Sequence, residues 1–184
     1  MKIGLFLGSF NPVHVGHMVV ANYCLEFTDL DEIWMVVSPQ NPLKVAYELM
    51  PENKRLEMLN VAVSSSNLPI KVSDVEMNLP KPSYTIDTLD FLSKENPDKQ
   101  FCIIMGADNL SNIEKWKSWE DILKKYPTYV YPRVGFDAMS LCKKYNVHFI
   151  AAPIIEVSST FIREGLAAGK KMNAFLPKGV AELL

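Results

Sequence analysis

Two of the three histidines of this chain, His14 and His17, stand three residues apart in the decapeptide GSFNPVHVGH, Gly8 to His17. Imidazoles at that spacing, beside glycine, asparagine and proline, can hydrogen-bond an anion and stabilise charge developing on it, or serve as capping or core residues of a helix. Gly8 and Gly16 would permit close backbone approach, and a helix opening near Gly16 would offer unpaired N–H groups to a phosphate. The spacing fits neither G-x-x-x-x-G-K-[ST] nor G-x-G-x-x-G, so it is not a Walker loop or a dinucleotide fingerprint. A second polar cluster, EVSSTFIREGL, holds Ser158, Ser159 and Thr160, all good N-cap residues. Arg163 follows Thr160 where a capping box would place Glu or Gln. A cation in the first turn of a helix opposes the helix dipole, by a few tenths to about 1 kcal/mol, and so asks for a nearby anion.

These residues need a scaffold, and the rest of the chain supplies one. Short apolar runs rich in β-branched and aromatic residues recur as KIGLFLG (2–8), EIWMVVSP (32–39), PIKVSDVE (69–76), QFCIIMG (100–106), TYVYPR (128–133) and HFIAAP (148–153). Helical patterns alternate with them at 16–27, 51–65, 83–95, 119–126 and 136–145, with apolar residues at three and four spacing. The alternation predicts an α/β fold with a doubly wound parallel sheet covered by helices on both faces. From Val157 onward two further helices are expected, SSTFIREGLAAG closed by Gly169 and PKGVAELL opened by Pro177, so that 157–184 forms a C-terminal helical part. With strand order 3-2-1-4-5 and a further strand, ligands settle at the switch point between the first and fourth strands. GSFNPVHVGH then faces GADNL, the segment after the fourth strand, which places Gly106 and Asp108 across the crevice.

Composition restricts the partners. A chain of 184 residues, 48% hydrophobic, fits one domain with a real core. A formal charge of -2 gives no basic field for nucleic acid. Cys24, Cys102 and Cys142 are far apart and odd in number, so neither a disulfide framework nor a zinc knuckle is indicated, and buried thiols in a reducing cytosol are expected. The apolar runs are too short for a signal-peptide core or a membrane span, which points to a cytoplasmic protein with no membrane partner. Oligomeric state stays open between a monomer and a small homo-oligomer.

GSFNPVHVGH resembles the G-x-F-x-P-x-H-x-G-H form of the (H/T)-x-G-H signature of the nucleotidylyltransferase superfamily, whose fold is Rossmann-like. EVSSTFIREGL is similar to its I-S-S-T-x-I-R motif, with Val157 in place of Ile. KPSYTIDTL resembles the S-Y-T-x-D-T-L run of nicotinate-nucleotide adenylyltransferases. MGADNLSNIEKWKSWEDIL is similar to their G-x-D-x-L…W-x-x-W/Y-x-x-I-L segment, and the closing residues resemble theirs too, so the likeness spans essentially the whole chain. The resemblance implies that His14 and His17 hydrogen-bond ATP phosphates as the catalytic pair. It implies that Gly8, Ser9, Phe10, Gly16, Gly106, Asp108, Ser159, Thr160 and Arg163 bind ATP, with Mg2+ carried on ATP and Asp108 near the ribose or phosphates. On the acceptor side it implies Tyr84, Thr85 and Trp116, the last stacking on a pyridine ring. Each has a plainer reading: Trp116 and Trp119 could be packing aromatics, Tyr84 and Thr85 cap and core residues of a helix. Lys44, in SPQNPLK, could be solvated charge or a ligand of the substrate phosphate.

The implied reaction is adenylyl transfer from ATP to nicotinate mononucleotide, giving nicotinate adenine dinucleotide and pyrophosphate, a step of NAD biosynthesis. Rivals are transfer to nicotinamide mononucleotide or phosphopantetheine on the same fold, and a noncatalytic ATP sensor. Ser9 and Asn11 depart from the commoner G-G-x-F-D-P form, and YPRVGF matches the R-P-G segment only loosely at Arg133. On the dipole argument alone, Arg163→Ala should weaken ATP binding while leaving the free protein as stable as before, or slightly more so.

Overall fold

The computed structural model describes residues 1–39 and 49–184. Along these run β1 (Lys2–Gly8), α1 (Val15–Phe27), β2 (Glu32–Val37), α2 (Glu52–Ser64), β3 (Ile70–Ser73), α3 (Thr85–Glu95) and β4 (Gln100–Gly106). There follow α4 (Ala107–Leu110), α5 (Trp119–Lys125), β5 (Thr128–Tyr131), α6 (Ala138–Tyr145), β6 (His148–Phe149) and α7 (Ser159–Ala167). All six strands pair in parallel, in the order β3-β2-β1-β4-β5-β6. The expected order, with its further strand, is the order observed.

The strands read as nearly continuous apolar runs because both faces of the sheet are covered. On one face Phe6, Ile33, Met35 and Ile104 meet Val20, Cys24, Met58, Leu59 and Ile162, brought by α1, α2 and α7. On the other, Ile3, Leu5, Ile103 and Val130 meet Ile86, Leu89, Ile122 and Cys142 from α3, α5 and α6. Successive strand residues alternate between the two clusters, as the period of two requires. Cys24, Cys102 and Cys142 are buried free thiols. Among the described residues no helix is long and apolar enough to cross a membrane.

Register brings the functional loops together. Gly8 lies opposite Val37 in β2, while Phe6 pairs with Ile104 two residues before the end of β4. The loops leaving β1, β2 and β4 therefore emerge on one edge, at the reversal of strand order.

Two local expectations need correction. PKGVAELL forms no α-helix: Gly179 adopts φ +85 and only a 3-10 turn, Ala181–Leu183, follows it. Seven residues after a proline, interrupted by a left-handed glycine, are too few to nucleate a stable helix. HFIAAP contributes only His148 and Phe149 to the sheet, and the segment GADNL after β4 includes the single turn α4. Helix α7 does end as expected, with Gly169 at φ +69.

Candidate active site

The histidine pair sits where β1 passes into α1. His14 is the N-cap of α1, with extended backbone, and its N–H donates to Nδ1 of His17 at 3.2 Å. Because that nitrogen accepts, the proton of neutral His17 is on Nε2, a donor suited to a phosphate oxygen. The two rings stack with centroids 3.7 Å apart, and Phe10 meets His17 edge-on at 5.0 Å. Capping and phosphate binding are therefore compatible roles here, one for each nitrogen of His17.

Glycine serves the packing of this loop as well. A Cβ on Gly8 would lie 3.1 Å from the Phe10 ring, and one on Gly16 would lie 3.0 Å from the His14 ring. The space a Cβ would take at both positions is filled by the protein's own rings. Phe10 is itself buried, at φ +46, and supports His17 from below.

His14 is 6% exposed, and its Nδ1 is buried with no hydrogen-bond partner. Burial, helped by the nearby charge of Arg133, pulls its pKa from 6.5 down to about 4. The native ring is thus neutral near pH 7, and the stability consequence has a definite sign. Between pH 6.5 and 4 the unfolded chain binds a proton on His14 that the native chain does not, so stability falls as pH falls through this window. A shift of this size corresponds to about 3 kcal/mol. Urea unfolding at pH 7 and pH 4.5 should show a loss in the wild-type protein that is smaller by about 2 to 3 kcal/mol in His14→Gln.

The second motif docks directly on the first. Ser158 caps α7 by accepting from the N–H of Phe161, while the Ser159 hydroxyl donates to the carbonyl of Pro12 at 2.9 Å. Arg163 Nη1 donates to the carbonyl of Asn11 at 2.9 Å, and Nη2 reaches Thr160 Oγ1 at 3.4 Å. The Asn11 side chain accepts from the N–H of Met50. Arg163 thus ties α7 to the histidine loop, which the dipole argument did not foresee. A charge-assisted hydrogen bond contributes roughly 1.5 to 3 kcal/mol and outweighs the dipole cost. Arg163→Ala is therefore expected to lower the stability of the free protein by about 1 kcal/mol or more, alongside weaker ATP binding, with urea titration and calorimetry as the two measurements.

Opposite, α3 opens with Tyr84 as its N-cap and Thr85 as its first residue. Lys117 reaches across from the segment after Trp116, contacting both oxygens of Asp87 at 2.9 Å and lying 4.9 Å from the centre of the Tyr84 ring. Behind the turn, the buried Glu76 accepts from Ser83 and Thr88. Trp116 is half-buried and packs partly on the core, as does Trp119.

Asp108 is the second residue of α4, with Oδ1 buried and 3.7 Å from Nε of Arg133. A Cβ on Gly106 would collide with that oxygen, so glycine is what lets the carboxylate fold back there. Among the described residues no cluster of three or more His, Cys, Asp or Glu could hold a metal.

One cavity of about 840 Å³ joins these walls. It is lined by Gly8, Ser9, Phe10, His14, Gly16, His17, Asp108, Ser159, Thr160 and Arg163 on one side and by Tyr84, Thr85 and Trp116 on the other, with Arg133 at its edge. Gly106 lies behind Asp108 and does not line it, while Lys44 lies outside the described residues.

Sequence reasoning missed Arg55. It is wholly buried in α2, donating from Nη1 to the carbonyls of Ser9 and Ser38, from Nη2 to Pro39 and from Nε to Met50. One guanidinium thus holds the loops after β1 and β2 together. The signal was available: Arg55 occupies the same helical stripe as Leu59 and Ala62, where a charge is unexpected.

Residues 5–165 match the cytidylyltransferase-like family. The whole chain is 46% identical over 186 aligned residues to a protein of Flavobacterium johnsoniae named as a probable nicotinate-nucleotide adenylyltransferase, 96% of which is covered. A protein of the same name from Cytophaga hutchinsonii is 46% identical over 184 residues, with 100% of this chain and 95% of that one covered. The fold superposes with a TM-score of 0.83 on Plasmodium falciparum nicotinic acid mononucleotide adenylyltransferase complexed with NaAD, at 20% identity and covering 99% of this chain and 93% of the other. A histidine pair at a helix start, a serine-rich helix docked on it and near-half identity from end to end leave one assignment: the chain belongs to the nicotinate-nucleotide adenylyltransferase family.

Proposed function

We propose that this protein transfers the adenylyl group of ATP to the 5′-phosphate of nicotinate mononucleotide, releasing pyrophosphate and forming nicotinate adenine dinucleotide in a step of NAD biosynthesis. The observation that carries this reading is the shared cavity. The stacked His14–His17 pair lines the same space as Tyr84, Thr85 and Trp116. A noncatalytic ATP sensor would have no use for the second wall.

An oxygen of the acceptor phosphate bonds to the α-phosphorus of ATP as the bond from that phosphorus to the bridging oxygen breaks. Pyrophosphate leaves with the electron pair. The attacking group is already an anion, so no nucleophile or base on the protein is required. His17 Nε2–H and His14 donate to phosphate oxygens on which charge grows, and Arg163, Ser159 and Thr160 hold the departing phosphates at the start of α7. Trp116 offers its face to the cationic pyridinium ring.

Mg2+ would enter on ATP, where it neutralises phosphate charge. Asp108 fits it as a cavity-lining carboxylate whose buried Oδ1 lacks a hydrogen-bond donor, and one or two carboxylates with substrate phosphates are the usual ligands of this ion. Buried free thiols suit a reducing cytoplasm.

The test is product formation with magnesium ATP and each acceptor in turn. Nicotinate mononucleotide should give one dinucleotide and one pyrophosphate per ATP consumed. ATP binding without product from any acceptor would favour the sensor, and faster turnover of phosphopantetheine would move the protein to the rival acceptor class.

A further inference from the structure

We infer that Glu76 is a positioning residue for the acceptor nucleotide, its buried carboxylate fixing the first turn of α3, and with it Tyr84 and Thr85, against the cavity. This rests on the reading above that the wall of Tyr84, Thr85 and Trp116 receives nicotinate mononucleotide.

Glu76 lies in the 3-10 turn Val75–Met77 after β3 and is 2% exposed. Its partners are two hydroxyls: Ser83 Oγ donates to Oε2 at 3.0 Å and Thr88 Oγ1 donates to Oε1 at 2.8 Å. Both donors are buried as well, Thr88 completely. Ser83 directly precedes Tyr84, and Thr88 stands one turn beyond Thr85. The carboxylate therefore grips the chain on both sides of the two acceptor-facing residues, with one oxygen for each side.

Among the described residues hydroxyls alone hold this buried carboxylate, and that is a costly way to dock a helix. Docking does not need it, because Ile86, Leu89 and Leu92 already seat α3 in the core. What apolar packing lacks is direction, and two hydrogen bonds to one rigid group fix both the rotation and the axial position of the turn. At the outer end Lys117 bridges Asp87 to the Trp116 segment, but both partners are about half exposed, and such pairs hold a geometry weakly. The inner carboxylate is the firmer constraint, and it also lines the cavity. Glu76 thus acts on the acceptor through Ser83 and Thr88 rather than by touching a reacting atom.

Steady-state kinetics with ATP and nicotinate mononucleotide varied separately test this in wild type, Glu76→Ala, Glu76→Gln, Thr88→Val and the Glu76→Ala/Thr88→Val double variant. Glu76→Ala should raise KM for the acceptor about tenfold, with KM for ATP and kcat within about twofold. Glu76→Gln can still accept from one hydroxyl and donate to the other, so it should restore most of the loss. Thr88→Val should raise acceptor KM about threefold alone and add almost nothing to Glu76→Ala, the non-additivity expected of one network. An unchanged acceptor KM, an equal rise in both KM values, a uniform fall in kcat with both KM values unmoved, or strict additivity would overturn the inference. If Glu76→Ala does not fold, Glu76→Gln and Thr88→Val decide by the same split. Failure of the wild-type protein to make dinucleotide from nicotinate mononucleotide would instead overturn the underlying reading, and this inference with it.

Discussion

His17→Ala is expected to lower turnover by about 100- to 1,000-fold, the usual cost of removing one donor to charge that develops in a transition state. The structure adds a second, smaller effect. Nδ1 of His17 accepts the N–H of its own helix cap, and losing a cap costs about 1 kcal/mol of stability. His17→Asn separates the two. The Asn side-chain oxygen can replace Nδ1 as the cap acceptor, but no donor remains where Nε2–H stood. Both variants should lose rate to a similar degree, and only the alanine should lose clear stability. Turnover and urea unfolding measured on the same preparations provide the check. A well-folded Asn variant with wild-type turnover would make His17 structural.

Discrimination between nicotinate and nicotinamide mononucleotides should be on the order of a hundredfold or more in kcat/KM, favouring the acid. The two differ only in a carboxylate against a carboxamide. A carboxylate accepts hydrogen bonds, whereas the amide NH2 must find acceptors of its own. The start of α3 offers first-turn amides and the Thr85 hydroxyl as donors. At the start of α3 the nearby carboxylates are engaged, Asp87 by Lys117 and Glu76 by Ser83 and Thr88, which leaves this wall richer in donors than in acceptors. Two charge-assisted bonds at roughly 1.5 to 3 kcal/mol each account for the magnitude. Trp116→Ala should weaken both acceptors, since ring stacking ignores the substituent, while Thr85→Val should narrow the gap between them. Equal specificity constants in the wild-type protein would remove the acid-selective role from this wall.

The sheet was readable because its strands are nearly unbroken apolar runs; helical periodicity is clear in α3, α6 and α7 and weak in α1 and α2, although Val20, Cys24, Met58 and Leu59 of those two still face the core. The site was readable where residue type and chemistry coincide, as in the histidine pair and the serine-rich cap. Period and composition could not reveal where hydrogen bonds cross between loops. The tie from Arg163 to Asn11 spans 152 residues of sequence and reverses the expected effect on stability. Nor could they show that Gly8 and Gly16 make room for Phe10 and His14, since a glycine signals free space without saying what fills it. PKGVAELL failed for a local reason: Pro177 opens a single turn, closed by the Val180 N–H on its carbonyl, and Gly179 at φ +85 keeps that turn from continuing as an α-helix.

The central claim is that the protein aligns two nucleotides and neutralises charge, with none of its own groups entering a bond to phosphorus. The stereochemistry at the α-phosphorus tests this most directly. One diastereomer of adenosine 5′-O-(1-thiotriphosphate), with nicotinate mononucleotide as acceptor, would be turned over and the configuration of the thio-dinucleotide product determined. A single in-line displacement predicts inversion, and net retention would contradict the account by requiring an adenylylated protein intermediate.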